Sequence, residues 1–73
     1  MVVDYWASWC RPCVGFAPTY EAIAKAYSEQ DAPLVRFFKV MESDAPDVMQ
    51  ERSVRAFPTF VLYLKGAVVG RVR

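Results

Sequence analysis

The sequence predicts an α/β fold, and three observations along its 73 residues carry that reading. A short apolar run at 2–7 has no polar alternation, an apolar stripe of helical period follows it, and a second apolar run occupies 34–40. Strand, helix and strand therefore succeed one another over the first half of the chain. At this length a single small domain is expected, and its core stabilises it by roughly 3–5 kcal/mol.

Residues 2–7 are β-prone and apolar on both sides, as in a strand buried on both faces, with Asp4 inside the run. From Arg11 to Glu29 the side chains Phe16, Tyr20, Ile23 and Tyr27 fall on one helical stripe, while Glu21, Lys25 and Glu29 mark the wet side. Glu21 and Lys25, four apart, are expected to pair. Pro18 cannot bond to the carbonyl of Val14, which predicts a kink; the alternative is two short helices divided at Ala17. Gln30-Asp31-Ala32-Pro33 reads as a turn and Leu34–Val40 as the second strand, laid parallel to the first by a right-handed crossover.

Ser43 or Asp44 is expected to cap a short helix running to about Arg52, with Asp47 favoured by the helix dipole and Val48 and Met49 facing inward. Phe57-Pro58-Thr59 leads into a third strand, Phe60–Leu64. Lys65-Gly66 is a tight turn into Ala67–Val72, which pairs back as a hairpin. No internal repeat or low-complexity segment interrupts this order.

Nine basic and eight acidic residues leave a net charge of +1. That balance argues against nucleic-acid or membrane-surface binding through field strength. No apolar run approaches the roughly 20 residues that span a bilayer. The N-terminus has no basic region and carries an acid within its apolar stretch, so it does not read as a secretory signal. Two cysteines are too few for a secreted disulfide framework, and a reducing, cytoplasmic setting is expected.

Those two cysteines, Cys10 and Cys13, are separated by Arg11 and Pro12 and stand at the head of the first helix. Unpaired backbone N–H groups and the helix dipole there favour the thiolate of Cys10, the expected attacking sulfur. Cys13, one turn further in and expected to be more buried, would resolve the mixed disulfide. The pair could also be half of a zinc site, but the chain has no histidine and no third cysteine, so only a dimer sharing metal would complete it. As two merely structural cysteines they would leave Trp9 and Pro12 without purpose.

Val3-Asp4-Tyr5-Trp6-Ala7-Ser8-Trp9-Cys10-Arg11-Pro12-Cys13, then Ala17-Pro18, Phe57-Pro58-Thr59 and Lys65-Gly66, resemble the thioredoxin family in order and spacing. The resemblance implies a thioredoxin-like fold and reversible dithiol–disulfide exchange with protein substrates. It implies a mixed four-stranded sheet in the order second, first, third, fourth, with the dithiol helix on one face and the short helix on the other. It implies further that Pro58 is cis beside the cysteines, a geometry that costs an X-Pro bond only about 0.5–1 kcal/mol. Phe57, Pro58 and Thr59 would then form the substrate site, with the backbone of Phe57 pairing to an extended segment. Trp9 would shield the disulfide and offer substrate an apolar contact, while Trp6 belongs near the core.

By the same resemblance, Asp4 is a general base toward Cys13, through a water, and Lys39 matches a lysine that pairs with this acid. Burial raises a carboxyl pKa, which suits a group that accepts and returns a proton. Arg11 stands where the family usually has glycine, and Val14 where it has lysine. With Pro12, Arg11 is expected to tune the redox pair, its guanidinium favouring the Cys10 thiolate and making the disulfide a stronger oxidant.

The family's domain has a further strand and helix before this chain's first strand and a helix after its last. The chain thus reads as a partial domain, either an excerpt or a fragment that self-associates through exposed sheet surface. The expected function is protein disulfide reduction, with electrons from a separate reductase of the thioredoxin-reductase type. No cofactor is expected, since Gly15, Gly66 and Gly70 form no dinucleotide fingerprint. Two other readings fit the residues: a docking module of a larger assembly, and a disulfide-isomerase-type domain.

Overall fold

The computed structural model describes residues 1–29 and 35–72. The predicted turn at 30–33 and the start of the second strand at Leu34 lie outside the described residues. Strand β1 (Val2–Trp6), helix α1 (Arg11–Ser28) and strand β2 (Phe37–Met41) are followed by a 3-10 turn (Glu42–Asp44) and helix α2 (Pro46–Glu51). Strands β3 (Thr59–Leu64) and β4 (Ala67–Val72) complete the chain. The sheet order is β2-β1-β3-β4, as the resemblance implied. β1 runs parallel to β2 and antiparallel to β3, and β4 folds back on β3.

Side chains alternate across each strand, so the two faces carry different sets. Val3 and Tyr5 of β1 and Val61 and Tyr63 of β3 bury one face with Met49 of α2 and Val54, and Val40, Val48 and Phe57 pack around them. Within this core the hydroxyls of Tyr5 and Tyr63 share a hydrogen bond of 2.8 Å, which satisfies both buried groups. On the other face Tyr20 of α1 lies among Phe16, Phe37 and Phe60, with ring centroids 6.5, 5.8 and 6.0 Å away. Its hydroxyl donates to the carbonyl of Phe38 at 2.6 Å.

Several elements differ from expectation. α1 runs unbroken through Pro18, so the division at Ala17 does not occur. Of its predicted stripe Tyr20 is buried, while Phe16, Ile23 and Tyr27 stay more than a third exposed. β2 begins at Phe37, the register partner of Val2 at the start of β1, and the Val2 amide donates to the carbonyl of Arg36 just before it at 2.7 Å. Ser43 and Asp44 are taken up in the 3-10 turn, and the N-cap of α2 is Ala45, without a side-chain bond. Pro46 fixes that start: it fits the first helical position and bars the residue before it from helical geometry. Asp47 does stand in the first turn of α2, and Met49 is buried.

The Lys65-Gly66 turn has positive φ at both residues (52° and 82°), the geometry that matches the strand twist of a two-residue hairpin. From β4, Arg71 reaches across to the end of α2. Its Nη1 donates to the carbonyl of Arg52 at 3.0 Å and its Nη2 to that of Ser53 at 2.9 Å. These are carbonyls left over where the helix stops.

Candidate active site

β1 delivers the chain to Ala7, whose carbonyl accepts from the Cys10 amide at 3.1 Å and closes the turn before α1. Cys10 is the N-cap, with φ −87° and ψ 106°, and its Sγ accepts from the Cys13 amide at 3.2 Å. A sulfur thus occupies the place where a serine or aspartate oxygen usually sits, aimed at the unpaired N–H groups. Pro12 lies in the first turn, where its missing N–H costs nothing. The Cα atoms of Cys10 and Cys13 are 5.3 Å apart and the two residues form a disulfide. Both are only 4% exposed, so Cys13 is not the more buried of the two: the N-cap turn folds Cys10 inward under Ala7 and Phe57.

The Phe57–Pro58 peptide is cis, and Phe57 packs against Ala7, Cys10 and Cys13. The β3 loop is thereby brought to the disulfide, which no local signal in the sequence specifies. Trp9 is 67% exposed and meets Phe57 edge to face, with centroids 5.7 Å apart. Its Nε1 donates to Glu42 Oε1 at 3.1 Å. Glu42 is a site residue that sequence reasoning missed, since nothing about an acid just past a strand end points to a tryptophan far up the chain. Thr59, expected to meet substrate, is wholly buried, and its hydroxyl donates to the carbonyl of Ala56 at 2.6 Å. Its side chain braces the loop. Arg11 is exposed at the head of α1, beside Cys10.

Asp4 is 3% exposed on the sheet face beneath α1, and its Oδ1 has no hydrogen-bond partner. Burial pushes its carboxyl above the ordinary value, and the positive charge of Lys39 pulls part of the way back. Burial likewise pushes the Tyr20 hydroxyl up to about 12, with the nearby Asp4 charge adding to it. Lys39 is Asp4's register partner on β2 but does not form the expected ion pair with it. Its Nζ lies 3.6 Å from Glu21 Oε1 and 4.8 Å from the centre of the Trp6 ring. Glu21 therefore does not pair with Lys25, which instead stands 4.0 Å from Glu29. Among the described residues no three metal-ligating side chains cluster, and no helix is long and apolar enough to cross a membrane.

A disulfide capping a helix and packed against a cis-proline loop on a β2-β1-β3-β4 sheet defines a dithiol–disulfide protein of α/β type. The family model described as Thioredoxin matches residues 1–73, and the chain belongs to the thioredoxin family. It is 38% identical over 72 residues to the mitochondrial thioredoxin-3 of Saccharomyces cerevisiae, covering 99% of this chain and 53% of that protein. With an H-type thioredoxin of Fagopyrum esculentum it shares 40% over 72 residues, covering 99% and 58%. A crystal structure of a Nicotiana alata thioredoxin superposes with a TM-score of 0.88 at 39% identity, covering 99% of this chain and 58% of that one. For a Fasciola hepatica thioredoxin the TM-score is 0.86 at 41% identity, covering 97% and 64%. The chain thus spans little more than half the length of the curated relatives named here.

Proposed function

We infer that residues 1–73 form one partial domain that reduces protein disulfides through Cys10 and Cys13. The observation that carries this reading is the disulfide itself, with the Cys10 sulfur at the N-cap of α1 and Phe57 of the cis-proline loop packed against it. In the reduced protein the Cys10 thiolate attacks one sulfur of a substrate disulfide, and the other sulfur leaves as a thiolate. Cys13 then gives its proton through a water to Asp4, whose raised affinity for protons suits that task. The Cys13 thiolate attacks Cys10 Sγ, expels the second substrate thiolate and leaves the Cys10–Cys13 disulfide. Two electrons have passed to the substrate.

During this exchange an extended substrate segment pairs with the backbone of Phe57 beside Pro58 and rests on Trp9. None of these steps calls for a bound cofactor, and a separate reductase of the thioredoxin-reductase type returns the two electrons. We assign the chain to electron transport and redox homeostasis in the cytoplasm, where a dithiol stays reduced. Exposed Val69 and Val72 on the outer strand β4 support self-association as part of the same proposal. The test is dithiothreitol-driven reduction of insulin, with Cys10→Ser as control. Turnover that vanishes in the variant is the expected result, and equal turnover in both overturns the assignment.

A further inference from the structure

Lys39 stands beside Asp4 in the β1–β2 register, yet its close ion pair is with Glu21 and not with Asp4. The ammonium is held by two groups on other elements: the Glu21 carboxylate of α1 at 3.6 Å and the face of the Trp6 ring of β1 at 4.8 Å. Meanwhile Asp4 Oδ1 is buried without a partner. The cation thus touches an acid at the surface and reaches the acid inside only through its field. The Glu21 side chain is 67% exposed and that of Lys39 31%, so their pairing leaves the ammonium partly hydrated. Moving it down to Asp4 would cost that hydration, and a buried ion pair repays such a cost only with good geometry. The Trp6 ring favours the outward position through its electron-rich face.

We propose that Glu21 is a positioning residue: it holds the Lys39 ammonium outward against Trp6 and so sets how strongly that cation acts on the Asp4 carboxyl. The role of Asp4 as proton acceptor rests on the reductase reading; the arrangement around it does not. The charged or titratable groups facing Asp4 are few. β2 supplies Lys39, and α1 supplies the Tyr20 hydroxyl and Glu21 through Lys39; the β3 residue in register, Phe60, is uncharged, and on the reductase reading Cys13 joins them when reduced.

Neutralising Glu21 removes a negative charge and releases Lys39 toward Asp4. Both effects make the Asp4 carboxylate easier to form. With Lys39 gone, Glu21 has nothing through which to act, and its own distant, solvent-screened charge contributes little.

The experiment is a carbon-13 NMR titration of the Asp4 carboxyl in the oxidised full chain, where Cys13 does not titrate. Wild type, Glu21→Gln, Lys39→Met and the double variant complete a cycle. In Glu21→Gln the midpoint is expected to fall by roughly 0.5–1 pH unit, at or below the lower end of what a directly neighbouring charge does. In Lys39→Met it is expected to rise, and adding Glu21→Gln to Lys39→Met is expected to leave it there. An unmoved midpoint in Glu21→Gln, or the same fall in both backgrounds, overturns the proposal. No substrate is used, so this result stands apart from the insulin assay, and either reading can fail alone.

Discussion

The Trp9 indole stands edge-on to the Phe57 ring, at 86° between planes, and its N–H is tied to Glu42. The residue before the first cysteine is thereby fixed to the residue before the cis-proline. Aromatic pairs of this kind contribute about 0.5–1.5 kcal/mol beyond their burial. Trp9→Ala is accordingly expected to raise KM for insulin about two- to tenfold while leaving kcat near wild type. Steady-state kinetics check this, and a loss confined to kcat would contradict it.

Removing the second sulfur isolates the first half of the exchange. With Cys13→Ser the Cys10 thiolate can still attack a substrate disulfide but cannot be displaced from it, so a mixed disulfide should accumulate. Non-reducing electrophoresis and mass spectrometry of the adduct measure this directly. An adduct on Cys13 in the Cys10→Ser variant, with none on Cys10 in Cys13→Ser, would reverse the assigned roles.

Asp4 carries a pH signature of its own. Burial raises its pKa in the folded chain above the ordinary 3.8, so the folded state binds its proton more tightly than the unfolded one. Stability from this group is then full below 3.8 and is lost as pH rises through the folded-state midpoint. Asp4→Ala is expected to stabilise the chain at pH 7 by about 1–3 kcal/mol, the cost of burying the carboxyl in its charged form. The gain should shrink toward zero as pH falls to 3.8. Urea midpoints across pH test it; a gain that grows on acidification would be the wrong direction.

Arg11 gives the fourth prediction. Its guanidinium is exposed at the head of α1, so its effect on the Cys10 thiolate is screened. Arg11→Gly should make the reduction potential more negative by on the order of 10 mV at low salt, where about 30 mV corresponds to 1.4 kcal/mol. The difference should fade at high ionic strength. Redox equilibration against glutathione reads it, and an unchanged potential at low salt would remove Arg11 from the tuning residues.

How far these features can be read in the sequence depends on the range of the forces that set them. The Lys65-Gly66 turn is legible because two adjacent residues decide it, and the strand at Val2–Trp6 because its run is apolar on both faces apart from Asp4. The cis bond at Pro58 and the strand order came from resemblance, not from local chemistry. Charge pairing was misread at Glu21: the i,i+4 rule offers Lys25, but a surface ion pair is so weak that a lysine on a neighbouring strand outcompetes it. The cap of α2 was misplaced because Ser43 and Asp44 have good capping chemistry but Pro46 sets the boundary. Thr59 looked like a substrate contact in the motif, yet strand alternation turns it into the core.

Arg71 links regions that the strand order keeps separate. By holding the carbonyls of Arg52 and Ser53, it ties the final strand to the segment leading into Phe57 and Pro58. Hydrogen exchange in that segment should consequently follow the opening of the hairpin, so the two behave as one cooperative unit. The lifetime of the Phe57–Pro58 arrangement beside the disulfide is then governed from the outer edge of the sheet, at a distance from either sulfur.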